Sequence, residues 1–199
     1  MSNQAVAAHS MTIKNKLAES GIPYPVWSNK AAMHAAGLSR LIPEIESMAG
    51  RRNTLFYIRD ASPSRREYAC AALSKAMLVS GADLRFARLA YAVRYVQQYN
   101  EAAYAQPEAE ASLFVRGIRD GFLAIPNLFM PILGTLDARI AIDMQEFLTR
   151  HMNAGGCIIA AGAASVGESI KEAGFSDTLS EVLNIETQTI PLDKKDDLK

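Results

Sequence analysis

The sequence predicts an α/β protein: a parallel five-stranded sheet with helices on both faces, preceded by an N-terminal arm. Short runs of β-forming residues alternate with longer alanine-rich or amphipathic runs, the order in which crossover helices join parallel strands. One strand candidate, GFLAI, is apolar throughout and reads as buried. With 199 residues, 49% of them hydrophobic, the chain is long enough for one well-packed domain plus a short arm, and a second full domain is not expected.

Taken in order, residues 1–20 are polar with interspersed alanines and predict a short helix. In SGIPYPVWSN, Pro23 and Pro25 fix their own φ and restrict the residues before them, so an irregular arm across the surface is expected, anchored by Trp27. A helix is predicted over 30–50, interrupted or restarted at Pro43, because PEIESMA places proline and acids in a first turn. TLFYI predicts a strand at 54–58, SRREYACAALSKAMLVSG a helix closed by Gly81, and DLRFARL a second strand at 84–88. AYAVRYVQQYNEAAY and, after Pro107, EAEASLFVRGIRD read as helices, and GFLAI as a third strand at 121–125 stopped by Pro126. TLDARIAIDMQEFLTRHMNAGG places Ile140, Met144, Phe147, Leu148 and Met152 at helical spacing. CIIAAG predicts a fourth strand at 157–161, SVGESIKEAG and SDTLSEVLN short helices, and IETQTIPL a fifth strand at 185–192. A strand order of 5-1-4-3-2 is expected, with right-handed crossovers and covering helices restricting the topology. The chain thus divides into an arm and helix (1–50), a core (51–192) and a charged tail (193–199).

Composition narrows the function classes. Lys plus Arg and Asp plus Glu both number 21, so no net field draws the molecule to nucleic acid or an anionic membrane, and any such contact is local. Cys70 and Cys157 each lie in apolar segments and read as buried free thiols rather than a disulfide or redox pair. The scattered His9, His34 and His151 have no metal-ligand spacing, and neither a metal nor a cofactor is expected. MSNQAVAAHSMTIKNK lacks the hydrophobic core of a signal peptide. The long uncharged run Gly121 to Leu136 holds two prolines and is shorter than the roughly 18 residues of a spanning helix. A soluble, cytoplasmic protein with no membrane contact is the expectation.

Four stretches carry a resemblance to a known family: SGIPYPVW, LFYIRDASPSRREYACAAL, SGADLRFARLAYAVRYVQQ and FLTRHMNAGGCIIAAGAAS. In order and spacing, over roughly residues 20–192, they resemble the AAA+ core of bacterial helicase loaders. This is the DnaC-type family, which includes the IstB-like transposition ATPases. The first is similar to the family's entry arm, the second to its Walker A strand, loop and helix, the third to the strand and helix that follow. The last is similar to the helix, turn and strand that lead to sensor 1. The resemblance implies a P-loop NTPase fold and a setting in DNA replication or mobile-element biology.

The signature residues depart from that pattern. A phosphate loop needs glycines so that backbone N–H groups can face the phosphates, a lysine for the β/γ oxygens and a hydroxyl for Mg²⁺. The three glycine positions hold Arg59, Ser62 and Ser64, the lysine position Arg65, and the hydroxyl position Arg66; Pro63 removes a further donor. The acidic pair expected after GFLAI is replaced by Pro126 and Asn127, the polar sensor by Ala161 and Gly162, and the arginine near a subunit boundary by Thr178. The reading is a pseudo-ATPase that binds rather than hydrolyses, its partner a replicative helicase, an active AAA+ paralogue or DNA. An active NTPase with an unorthodox arginine loop and a self-assembling structural protein are the alternatives, and homo-oligomerisation is left open.

Individual residues keep two readings each. Arg59, Arg65 and Arg66 form either a solvated loop held by Asp60 and Glu67 or a contact for anions or nucleic-acid phosphate; Arg51 and Arg52 likewise either line a solvated turn or meet a nucleic-acid backbone. Leu128, Phe129 and Met130 are either core or a partner-facing patch. Tyr91, Tyr95, Tyr99 and Tyr104 form a packed stripe or a base-stacking platform. Trp27 anchors the arm or docks on a neighbour.

Overall fold

The structure is a computed structural model that describes residues 12–102, 121–129, 138–176 and 187–192, together with Leu179, Glu181 and Leu183. Its sheet contains β1 (Leu55–Arg59), β2 (Leu84–Phe86), β3 (Phe122–Ala124), β4 (Cys157–Gly162) and β5 (Thr187–Pro191). They lie in the order β2-β3-β4-β1-β5, and every pairing is parallel. This is the predicted order read from the other edge.

Because successive side chains leave a strand on opposite faces, β1 feeds two cores. Phe56 and Ile58 join Phe122, Ile159 and Ile190 on one face, while Leu55 and Tyr57 join Leu123, Ile125 and Ile158 on the other. The first face is covered by α5 (Pro63–Val79) and the N-terminal segment: α1 (residues 12–19), α2 (Tyr24–Trp27), α3 (Ala32–Ala35), a 3-10 turn (Ser39–Glu44) and α4 (Ile45–Ala49). Helix α5 is trapped between sheet and segment, which is why Ala69, Cys70, Ala71, Ala72 and Leu73 are all buried and no polar face develops. The second face is covered by α6 (Leu89–Ala102), α7 (Ala138–Asn153) and α8 (Val166–Glu172). The row read from helical spacing in α7 packs as expected, with Met144, Phe147, Leu148 and Met152 buried and Ile140 at the margin. Both cysteines are buried and form no disulfide, and burial pushes the Cys70 thiol up.

Three expectations change. SGIPYPVWSN is not wholly irregular: Tyr24–Trp27 make one helical turn with Pro23 as N-cap and Pro25 in the first turn, where a missing N–H costs no hydrogen bond. The helix expected over 30–50 is interrupted not only by the 3-10 turn that contains Pro43, as expected, but also at Gly37 (φ +69), leaving only the short α-helices Ala32–Ala35 and Ile45–Ala49. Strand β2 stops at Phe86, because the N–H of Ala87 bonds the carbonyl of Ala124 and α6 starts two residues later. Residues 1–11, the helix expected over 108–120 and the tail 193–199 lie outside the described residues.

The N-terminal segment also closes the β2 edge. Phe86 donates its N–H to the carbonyl of Ser20 at 2.7 Å. At Gly21 φ is +82, and a Cβ there would lie 2.3 Å from the Phe86 carbonyl oxygen. Glycine is what lets the chain approach an otherwise open strand edge.

Candidate functional site

The carboxyl ends of β1, β3 and β4 lie side by side, with Arg59 in register with Gly162 and Ala124 with Ile159. In parallel α/β sheets ligands enter beyond these ends. The site is bounded by the β1–α5 turn, the β3 turn at Pro126–Asn127 and the β4–α8 turn.

The β1–α5 turn consists of Asp60, Ala61 and Ser62, and α5 already begins at Pro63, so Ser64, Arg65 and Arg66 belong to its first turn. Asp60 is anchored through its N–H to the carbonyl of Gly162 at 3.2 Å. Its carboxylate accepts the Ser62 N–H at 2.7 Å on one oxygen and a guanidinium N–H of Arg65 at 2.9 Å on the other. Arg66 is 6% exposed, and its Nη1 donates to the carbonyls of Asp60 at 2.6 Å and Ala61 at 3.2 Å; its Nε is buried without a partner. A phosphate loop points N–H groups at an external anion. Here the loop carries its own anion, the Asp60 carboxylate, and turns two carbonyls onto its own cation, the Arg66 guanidinium.

This places the arginines differently from one another. Arg66 is not a solvated contact: it is inside the loop, and Glu67, expected to hold it, pairs with Arg88 at 3.2 Å. Arg65 is tied to Asp60, as the sequence reading allowed. Arg59 is exposed at the end of β1. Arg51 and Arg52 are exposed too, but they precede Leu55 at the opposite end of the strand, whose four steps alone span about 13 Å at strand rise. The structure does not join the two arginine groups into one patch.

At the end of β4 the packing is too close for any side chain at Gly162, since a Cβ would lie 1.9 Å from the Tyr57 hydroxyl and 2.8 Å from Ser169 Oγ. The Tyr57 hydroxyl donates to the carbonyl of Ala164 at 3.0 Å and lies 2.8 Å from Ser169 Oγ. Burial raises its pKa, partly offset by the Ser169 bond. Thus Tyr57 occupies the space into which a side chain at position 162 would project from the strand. Pro126 is buried and Asn127 half-buried in the turn after β3. Thr178 and Met130 lie outside the described residues.

The partner-facing reading of Leu128 and Phe129 is corrected. They are 1% and 3% exposed and belong to the second core, where Phe129 packs edge-on against Phe175. The turn at Ile125–Leu128 folds the apolar run back beneath the sheet. Trp27 is half-buried, with Tyr24 set edge-on at 4.6 Å; Ile22 and Val26, each 4% exposed, are the deeper anchors of the segment. The packed-stripe reading fails at Tyr91, which is 57% exposed. Tyr91 and the half-buried Tyr95 line an open cleft of about 740 Å³ with Arg85, Arg88 and Gly21. The sequence reading missed this cleft, because Gly21 and Tyr91 are distant in sequence and meet where the N-terminal segment bonds β2 through Phe86–Ser20 and Arg85–Glu19. Tyr104 and the side chain of Tyr99 lie outside the described residues. Among the described residues, no group of His, Cys, Asp or Glu could hold a metal ion, and no helix is long and apolar enough to cross a membrane.

No protein-family model matches the chain, and no curated protein matches it. Solved structures do. The crystal structure of a DNA replication initiation factor is 13% identical with a TM-score of 0.52, over 80% of this chain and 46% of that one. The replication initiator DnaA bound to AMPPCP and single-stranded DNA is 14% identical with a TM-score of 0.49, over 77% and 45%. The DnaC helicase loader is 9% identical with a TM-score of 0.49, over 79% and 90%. The chain spans less than half the length of the two initiators. At such identities the likeness is one of fold: a parallel five-stranded α/β sheet between helical layers.

Proposed function

We propose that this chain is a non-catalytic, AAA+-like accessory protein in DNA replication or mobile-element biology, acting in the cytoplasm by binding a partner ATPase, a helicase or DNA. The observation that carries the reading is the polarity of the β1–α5 turn. Two carbonyls face Arg66 and the Asp60 carboxylate takes the Ser62 N–H, so a triphosphate entering there meets acceptors and a fixed negative charge. The Asp60 carboxylate and the Arg66 cation would both have to be displaced before phosphate or Mg²⁺ could bind, at the cost of a buried ion left without partners. The likeness in fold to a replication initiation factor supports the biological setting.

Calorimetry with Mg-ATP and a phosphate-release assay test this reading. No hydrolysis and no Mg²⁺-dependent ATP binding are expected at physiological concentration; micromolar binding lost on Arg65→Ala would establish the active-NTPase alternative instead. The DNA component is tested by salt titration of oligonucleotide binding. If Arg59 meets phosphate, Arg59→Ala lowers the slope of log affinity against log salt by about one. An unchanged slope assigns Arg59 to solvent.

A further inference from the structure

A groove of about 310 Å³ runs along the outer side of α5, opposite the sheet, between that helix and the α3–α4 segment. Its floor is made of the small residues Ala72 and Ala76, and its walls include Met33, Ile42 and Val79. Ile42 is 56% exposed and Val79 46%. These two lie 37 positions apart in sequence, yet the fold brings them to one furrow. Such convergence of exposed apolar side chains marks an interface.

The polar residues of the groove indicate its occupant. Lys30 and Lys75 line it, and no carboxylate does. Neither lysine has an ion-pair partner among the described residues. The Lys75 ammonium is pinned at the groove by the carbonyls of Asn29 at 2.6 Å and Val26 at 3.4 Å, both neutral, and burial lowers its pKa. A half-buried cation without a counter-ion beside an apolar floor is complementary to a carboxylate carried on an apolar surface. The furrow lies between helices and has no free strand edge, so the element that fits it is a helix whose ridge enters the groove.

We propose that this groove docks an amphipathic helix of a partner protein, with its apolar side chains against Ala76, Ile42 and Val79 and its acidic flank against Lys30 and Lys75. The assignment deepens the reading of the chain as a binding module and rests on it. The probe is a fluorescein-labelled designed helix with leucines at i, i+3, i+4 and i+7 flanked by glutamates, compared with a twin in which lysines replace the glutamates, each titrated by anisotropy against the full chain. The acidic helix is expected to bind, the lysine twin at least tenfold more weakly. Ile42→Glu and Val79→Glu should each weaken the acidic helix at least tenfold, and Lys30→Glu should narrow the preference between the two peptides. Because both apolar positions are exposed, the variants should melt with the wild type by circular dichroism; Ile42→Ser serves if Ile42→Glu does not. Equal binding of the two peptides, no binding of either, or binding indifferent to Ile42→Glu and Ile42→Ser would overturn the proposal. So would sedimentation showing that the wild type self-associates through this face and that Ile42→Ser abolishes it, since the occupant would then be a second copy. Failure of the peptide arm with no Mg-ATP binding removes the groove alone, whereas Mg-ATP binding with the peptide arm intact removes the non-catalytic reading alone.

Discussion

Two strand-to-helix turns lie side by side at the carboxyl edge of the sheet and satisfy the same backbone in opposite ways. In the β4–α8 turn, Ser165 Oγ accepts the N–H of Glu168 while the Glu168 carboxylate accepts the N–H and hydroxyl of Ser165. This is a capping box, closed by a side chain three residues away. In the β1–α5 turn the N-cap Ser62 makes no side-chain cap bond. Asp60, two residues upstream, takes the N–H of Ser62, and Arg66 reaches back from the helix to the loop carbonyls. The first turn depends on local geometry and stays at the surface. The second buries a cation and depends on everything that shuts water out around it. A helix start can therefore be completed from within the chain, by a carboxylate two residues upstream and a guanidinium reaching back from the first turn.

The largest test of that contrast is Arg66→Ala. It removes a buried guanidinium and leaves two loop carbonyls without their donor, which should cost about 3 kcal/mol in urea unfolding. A loss below about 0.5 kcal/mol, the range of an ordinary surface substitution, would mean that water replaces the guanidinium and that the turn is open after all.

Next in size is Gly162→Ala, at the strand end that links the two turns. Its Cβ would drive into the Tyr57 hydroxyl, for an expected loss of about 2 kcal/mol. Tyr57→Phe removes the atom it strikes, so the double variant should lose clearly less than the sum of the two single ones. Additivity within about 0.5 kcal/mol would show that the two residues do not contact as described.

Paired serine substitutions read the caps directly. Ser165→Ala should destabilise by about 1 kcal/mol, whereas Ser62→Ala should stay within about 0.5 kcal/mol because its hydroxyl caps nothing. Equal effects would erase the distinction between the turns.

The smallest effect is one of pH. Bonds from the Ser165 side chain and backbone hold the Glu168 carboxyl below its ordinary value of 4.5. The folded state then binds fewer protons than the unfolded chain in the window below that value, so stability rises with pH there. The contribution is complete above 4.5 and is lost as pH falls through the folded value. Glu168→Gln should flatten this part of the acid profile, and an unchanged profile would separate the carboxylate from the cap.

Several features were legible without coordinates, and for a physical reason: they depend on near neighbours in sequence. Periodicity located α7 through Met144, Phe147, Leu148 and Met152, and alternation of strands and helices indicated the parallel sheet. That the β1–α5 turn carries Arg59, Ser62 and Ser64 and no glycine was likewise visible in the sequence. Other features depend on distant partners. Whether Leu128 and Phe129 were core or surface depended on whether the turn after Ile125 carried them under the sheet, where Phe175 meets Phe129. That Tyr91 stands exposed, and that Ile42 and Val79 converge, followed from how residues 12–49 pack over α5 and β2. Arg66 shows the division most plainly. Its type and position in the first turn of α5 were set by the sequence, but a guanidinium at that position can point to solvent or back into the loop. The choice was made by the buried strands and the Asp60–Gly162 contact that shape the cavity around it, because desolvation makes only the hydrogen-bonded orientation affordable.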